Sequence, residues 1–139
     1  MSTERSSGPE QTEAAGARLA SHLEPGDVVL VSGELGAGKS TFVRGALHSL
    51  GVTGPVPSPT FVVGQLYDGR DGPLAHLDLY RLAGMEGEDP GLLDPFFGPR
   101  TIAFVEWPGQ ADGAWPAERV ARRVHLAHTG GDEREIEVA

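Results

Sequence analysis

The sequence predicts an α/β fold with a mixed central sheet, and three observations predict it. A wholly apolar run, Val28-Val29-Leu30-Val31, leads straight into a glycine-rich segment. Residues 41–50 follow, in which Phe42, Val43, Ala46, Leu47 and Leu50 recur at helical spacing and Gly51 supplies a natural stop. Further on, the apolar run Thr101 to Val105 and several alternating segments have the lengths of strands. A continuous apolar strand is at home in a parallel sheet covered on both faces, and strand, glycine loop and helix in immediate succession begin a βα unit.

The elements can be justified in order. Residues 1–9 are small and polar and are expected to form a flexible tail, with residues 10–139 as a single domain. Residues 10–23 read as an amphipathic helix that turns Ala15, Leu19, Ala20 and Leu23 inward. Gly26-Asp27 is a turn ahead of the first strand. The prolines of Gly54-Pro55-Val56-Pro57-Ser58-Pro59 forbid a helix and stiffen a loop. Residues 61–67 and 74–80 look like two strands, joined by the turn Asp68-Gly69-Arg70-Asp71-Gly72. Residues 83–98 read as loop with one short helix around Leu92 and Phe96. Thr101 to Val105 is a buried strand. From Ala117 onward the chain gives a strand with outward arginines, a turn at Thr129-Gly130-Gly131-Asp132 and a final strand.

The glycine-rich segment carries the chemistry. Gly33-Glu34-Leu35-Gly36-Ala37-Gly38-Lys39-Ser40 fits the phosphate-binding pattern G-x-x-x-x-G-K-[ST], in the strand–loop–helix context that pattern requires. Lys39 is the only lysine, while ten arginines carry every other fixed positive charge. Lysine therefore stands only where a compact ammonium on a flexible stem can reach between phosphate oxygens. Glycines let backbone N–H groups curl round an anion, and the helix N-terminus adds partial positive charge. These features sharpen the fold to a P-loop NTPase-like three-layer α/β/α sandwich that binds ATP and Mg²⁺. In it Lys39 bridges the β- and γ-phosphates, the Ser40 hydroxyl ligates Mg²⁺ and Thr41 touches the α-phosphate side.

A second element is Ile102-Ala103-Phe104-Val105-Glu106, an apolar strand ending in a carboxylate. It has the shape of a Walker B strand, whose acid holds Mg²⁺ directly or through water beside the P-loop. Glu is less usual there than Asp. Asp78 alternates with apolar neighbours in His76-Leu77-Asp78-Leu79-Tyr80, and faces either solvent or the nucleotide cleft. Pro57-Ser58-Pro59-Thr60 lies one helix after the P-loop, where a switch segment or a rigid connector fits equally well. The five histidines are scattered at spacings that suit structural roles better than metal ligation, and His76 alone is near the presumed cleft. Trp115 reads as a packing residue, and Arg119, Arg122 and Arg123 as a solvated strand face.

Composition excludes other classes. There is no cysteine, so neither a disulfide framework nor a thiolate metal site exists. No apolar run reaches the length of a membrane span, and a cytoplasmic location is expected. The formal net charge is −9 and the sequence pI about 4.9, which disfavours direct tight binding of RNA or DNA. The chain contains no asparagine and no second lysine, so the Asn-Lys-x-Asp guanine reader of a GTPase cannot exist. A small P-loop kinase would draw its lid arginines from Arg70, Arg81 and Arg100. An assembly switch, in which ATP binding matters more than turnover, also fits the motifs.

Four blocks in this order and spacing closely resemble the TsaE (YjeE) family: Gly33 to Phe42, Ser58-Pro59-Thr60-Phe61, His76-Leu77-Asp78-Leu79-Tyr80-Arg81-Leu82 and Val105-Glu106-Trp107-Pro108. The resemblance covers roughly residues 10 to 138. It implies a small Mg²⁺-dependent ATPase required for threonylcarbamoyladenosine in tRNA. Its partners would be TsaD and TsaB, with tRNA met only through that complex and neither DNA nor membrane involved. Hydrolysis would reset the complex between turnovers. Carried over by residue, Gly33, Glu34, Leu35, Gly36, Ala37, Gly38, Lys39, Ser40 and Thr41 would hold the nucleotide, and Ser40 and Glu106 the metal. Thr60 would belong to the switch. Asp78 would orient or activate the attacking water, with Lys39 and Glu106 completing the catalytic set. Trp107 would flank the nucleotide or the partner surface. Glu34 and Ser40 stand where the family more often has Asp and Thr, and Leu77 where it has Phe; each keeps the needed oxygen or apolar character.

Overall fold

The computed structural model describes residues 2–57, 63–80, 91–108 and 115–139. Its centre is a seven-stranded sheet in the order β1-β7-β6-β2-β5-β4-β3. The strands are β1 (Ser2–Ser6), β2 (Val28–Gly33), β3 (Gly64–Gly69), β4 (Gly72–Asp78), β5 (Ile102–Glu106), β6 (Val120–Gly130) and β7 (Glu133–Val138), with helices α1 (Pro9–Ala20) and α2 (Lys39–Ser49). β6, β2, β5 and β4 run parallel; β3 and β7 are added antiparallel at their two edges, and β1 pairs antiparallel with β7. The expected α/β class with a mixed sheet is what the chain forms.

The two apolar runs take the central places. β2 lies between β5 and β6, and all of β5 is buried, as a strand with neighbours on both sides and cover on both faces must be. Val29, Val31, Phe104, Val124 and Leu126 share one face with Phe42, Ala46 and Leu47 of α2 and Ala15 and Leu19 of α1. Val28, Leu30, Ala75, Leu77, Ala103 and Val105 form the other face. Among the described residues that second face is closed by Leu93, by Trp115 and by a 3-10 turn, Asp94–Phe96, where the sequence suggests a short helix. Trp115 packs on Phe97 at 5.9 Å between ring centroids, in the packing role its position suggests.

Helix α1 begins with Pro9 in its first turn and Glu10 behind it, both favourable at a helix N-terminus. It crosses α2 closely because both carry glycine at the crossing. A Cβ on Gly16 would stand 2.0 Å from the Phe42 carbonyl oxygen, and one on Gly45 2.1 Å from that of Glu13.

Two expectations are corrected. Residues 2–6 are not a loose tail but strand β1, paired with β7 from Ser2↔Val138 to Ser6↔Arg134. β7 would otherwise end the sheet with a row of bare N–H and C=O groups. Ser2 to Arg5 of this edge strand are exposed and need no apolar period, so polar residues serve. The buried Ser6 hydroxyl anchors its end to Thr12 Oγ1 at 2.7 Å. Arg119, read as part of a solvated patch, instead donates to four carbonyls: Gly26, Phe97, Gly98 and Thr101, at 2.6 to 3.2 Å. It ties together the loops at the N-terminal ends of the parallel strands. Among the described residues no helix is long and apolar enough to cross a membrane.

Candidate functional site

The parallel strands place their C-terminal ends side by side, where open α/β sheets form their clefts. β2 runs out into the glycine loop. Gly33, at φ 145°, passes so close to β6 that a Cβ would lie 2.4 Å from the Leu126 carbonyl oxygen, which restricts the position to glycine. Gly38, at φ 97°, turns the loop into α2. No side chain caps α2, and its first turn holds no acid, so its leading N–H groups face the cleft as anion donors. Leu35 is exposed at the loop tip, Ala37 is buried beneath it, and the Glu34 side chain is solvated while its carbonyl accepts from Lys39.

The Lys39 ammonium donates to the carbonyls of Gly33 (2.8 Å) and Glu34 (2.7 Å) and lies 4.3 Å over the Trp107 ring. Burial lowers its pKa from the usual 10.5, against the opposing pull of Glu106 and Asp78. Ser40 Oγ donates to the Glu106 carboxylate, at 2.9 Å to Oε2 and 3.2 Å to Oε1. The register Asp78↔Glu106 sets those two strand ends side by side. This resolves the open question about Asp78: it faces the cleft. Burial raises its pKa above 3.8; the Tyr80 N–H, at 3.1 Å, works against that rise. Trp107 holds the positive φ of 59°, sends its N–H to Val31 O at 3.2 Å, and packs on Tyr80 at 4.9 Å.

These residues enclose a cleft of about 370 Å³ lined by Leu35, Gly36, Gly38, Lys39, Ser40, Thr41, Asp78, Glu106, Trp107 and Arg134. Arg134 is the contributor that sequence reading missed. Its guanidinium reaches from β7 to the Gly36 carbonyl at 3.0 Å, and no motif marks it. Thr60 and Arg81 lie outside the described residues. Arg70 sits in the β3–β4 turn against the end of α2, and Arg100 ahead of β5; both are at the end of the sheet opposite the cleft. The lid arginines of a kinase are therefore missing from the described residues around the cleft.

The donor set could hold a hard cation. Oxygen donors Ser40, Asp78 and Glu106 surround the position next to Lys39, with no thiolate and with no His/Asp/Glu cluster among the described residues able to cage a metal alone. Mg²⁺ prefers that arrangement, since it keeps water and phosphate oxygens in its shell.

A family profile, threonylcarbamoyl adenosine biosynthesis protein TsaE, matches residues 6–136. The chain belongs to the TsaE family. The tRNA threonylcarbamoyladenosine biosynthesis protein TsaE of Bacillus subtilis is 40% identical over 132 residues, spanning 95% of this chain and 81% of that protein. That of Streptomyces coelicolor is 48% identical over 95 residues, spanning 66% of this chain and 64% of the relative's length. The crystal structure of Bacillus subtilis YdiB superposes with a TM-score of 0.77 at 37% identity, covering 97% of this chain and 82% of that one. As a TsaE-family member the protein takes part in tRNA threonylcarbamoyladenosine biosynthesis.

Proposed function

We propose that the protein is a Mg²⁺-dependent ATPase that binds a TsaB–TsaD pair and, by hydrolysing ATP, resets that complex between rounds of tRNA modification. The observation that carries this reading is the convergence of Lys39, Ser40, Asp78 and Glu106 on one cleft at the mouth of a glycine loop. In this reading the loop N–H groups and the N-terminus of α2 receive the β-phosphate. Lys39 exchanges the Gly33 and Glu34 carbonyls for β- and γ-phosphate oxygens, Thr41 meets the α-phosphate side, and Trp107 flanks the bound nucleotide. Ser40 and Glu106 are the residues that hold Mg²⁺, whose charge, when bound, neutralises the β- and γ-oxygens. Asp78 orients the attacking water and accepts its proton.

Basal turnover is slow in this account, because the one arginine at the described cleft, Arg134, is occupied by the backbone carbonyls of Gly36, Gly131 and Glu133. Partner contact therefore supplies the acceleration. With a formal net charge of −9, the chain leaves tRNA to its partners and works with them in the cytoplasm. ATP titration of the wild type and of Lys39→Ala tests the reading. Lys39→Ala is expected to lose productive nucleotide binding, and normal turnover by that variant would remove the reading altogether.

A further inference from the structure

Glu106 is one methylene longer than the aspartate more usual at such a strand end, so its carboxylate has an additional torsion to fix. Among the described residues two side chains hold it. Ser40 donates from the first turn of α2, inside the cleft. The other donor is His76 on β4, 1% exposed, whose Nε2 bonds Glu106 Oε2. His76 stands opposite Phe104 in the β4–β5 register, two residues short of Glu106 on the same sheet face, so its ring reaches forward to the carboxylate from beneath.

We propose that His76 is the positioning residue that holds the Glu106 carboxylate in place for the Mg²⁺-bound triphosphate. The inference rests on the ATPase reading above. Three features carry it. Nε2 of the ring is the atom that meets Glu106 Oε2, so a carboxylate that accepts there requires an Nε2–H donor. Nδ1 has no hydrogen-bond partner among the described residues, so the bond to Glu106 is the one polar contact this ring makes there. Burying an imidazole with an unpartnered nitrogen is unfavourable where leucine would fill the space without that penalty. The two donors also differ in permanence. If Ser40 holds the metal, as the ATPase reading has it, its hydroxyl would give up its bond to Glu106. His76, locked in the sheet, would keep Oε2 engaged after Ser40 has left.

The test compares wild type, His76→Leu and His76→Gln for ATP affinity in EDTA, ATP affinity in Mg²⁺, and turnover. The glutamine side chain can still donate an N–H to Glu106. His76→Leu is expected to keep its EDTA affinity within about twofold. Its Mg²⁺ enhancement and turnover should fall about 10- to 100-fold, the range seen when a residue that orients a metal ligand is lost. His76→Gln should recover most of that loss. Wild-type Mg²⁺ enhancement in His76→Leu overturns the proposal, and so does equal impairment of the two variants, which would mark simple packing. Long-range ¹⁵N spectra of the unmodified protein bear on it without any variant: the Nε2–H tautomer is expected, and an Nδ1–H tautomer overturns it. Failure of the wild type to bind ATP in either condition would instead remove the underlying ATPase reading.

Discussion

Gly16→Ala separates what helix propensity says from what packing says. Gly16 lies in the interior of α1, where exchange for alanine should stabilise an isolated helix by about 1 kcal/mol. In the folded protein the new methyl would lie 2.0 Å from the Phe42 carbonyl oxygen, 3.0 Å from its carbon and 3.1 Å from the Ala46 nitrogen. All three are backbone atoms of α2 and cannot rotate aside. Restoring an ordinary contact requires α1 to retreat by more than an ångström, which separates Ala15 and Leu19 from Phe42 and Ala46. Overpacking of this kind costs about 1–3 kcal/mol, and a clash with backbone belongs at the upper end. The net expectation is a loss of about 2 kcal/mol, or roughly 5–10 °C in melting temperature for a domain of this size. Gly45→Ala should behave alike, since its methyl would meet Glu13 O at 2.1 Å. Because one retreat of α1 relieves both clashes, the double variant should lose less than the sum. Urea unfolding measures all three. A Gly16→Ala protein as stable as wild type would refute the close crossing of α1 and α2.

Other outcomes follow from the site and its supports. Asp78→Asn should retain ATP binding, lose at least 100-fold in turnover by the scale of a lost catalytic base, and raise the melting temperature of the nucleotide-free protein by about 1–3 °C, because burial disfavours the carboxylate and asparagine keeps the acceptor for the Tyr80 N–H. A melting temperature below wild type would contradict that. For the same residue the folded state binds its proton more tightly than the unfolded chain. As pH rises from 3.8 through the raised folded value, Asp78's contribution to stability falls while turnover, which needs the carboxylate, climbs. A pH–rate profile whose acid limb ends at the ordinary aspartate value would place the base elsewhere. Arg119→Ala removes four bonds to carbonyls and should cost about 2–4 kcal/mol in urea unfolding with ATP affinity unchanged, since its contacts lie at the far end of the sheet from the cleft. Should Asp78→Asn with nucleotide bound still support tRNA modification in full, ATP binding alone would suffice and the assembly switch would replace the ATPase.

The parts legible in the sequence were those whose signal is local. Val28 to Val31, the glycine loop and the helical spacing from Phe42 to Leu47 declare themselves within a few residues, and the structure joins them as β2, loop and α2. β1 was illegible because this edge strand, exposed from Ser2 to Arg5, carries no apolar alternation. The orientation of Asp78 could not be read because it depends on pairing with a strand that lies 28 residues further along, at Glu106. Arg134 reaches the P-loop only because β6 lies between β2 and β7, an order set by long-range pairing. Among the described residues Arg119 bonds backbone carbonyls, which leave no trace in residue types. His76 was noticed for its nearness to the cleft, but its bond to Glu106 is visible only once β4 and β5 are in register.

The central claim is that this cleft is a partner-stimulated ATP site, and ATP turnover by the purified protein, alone and with a TsaB–TsaD pair, tests it most directly. The account predicts slow turnover alone and a clear rise with the pair, both abolished by Lys39→Ala. Bound nucleotide with turnover unchanged by the pair would contradict it.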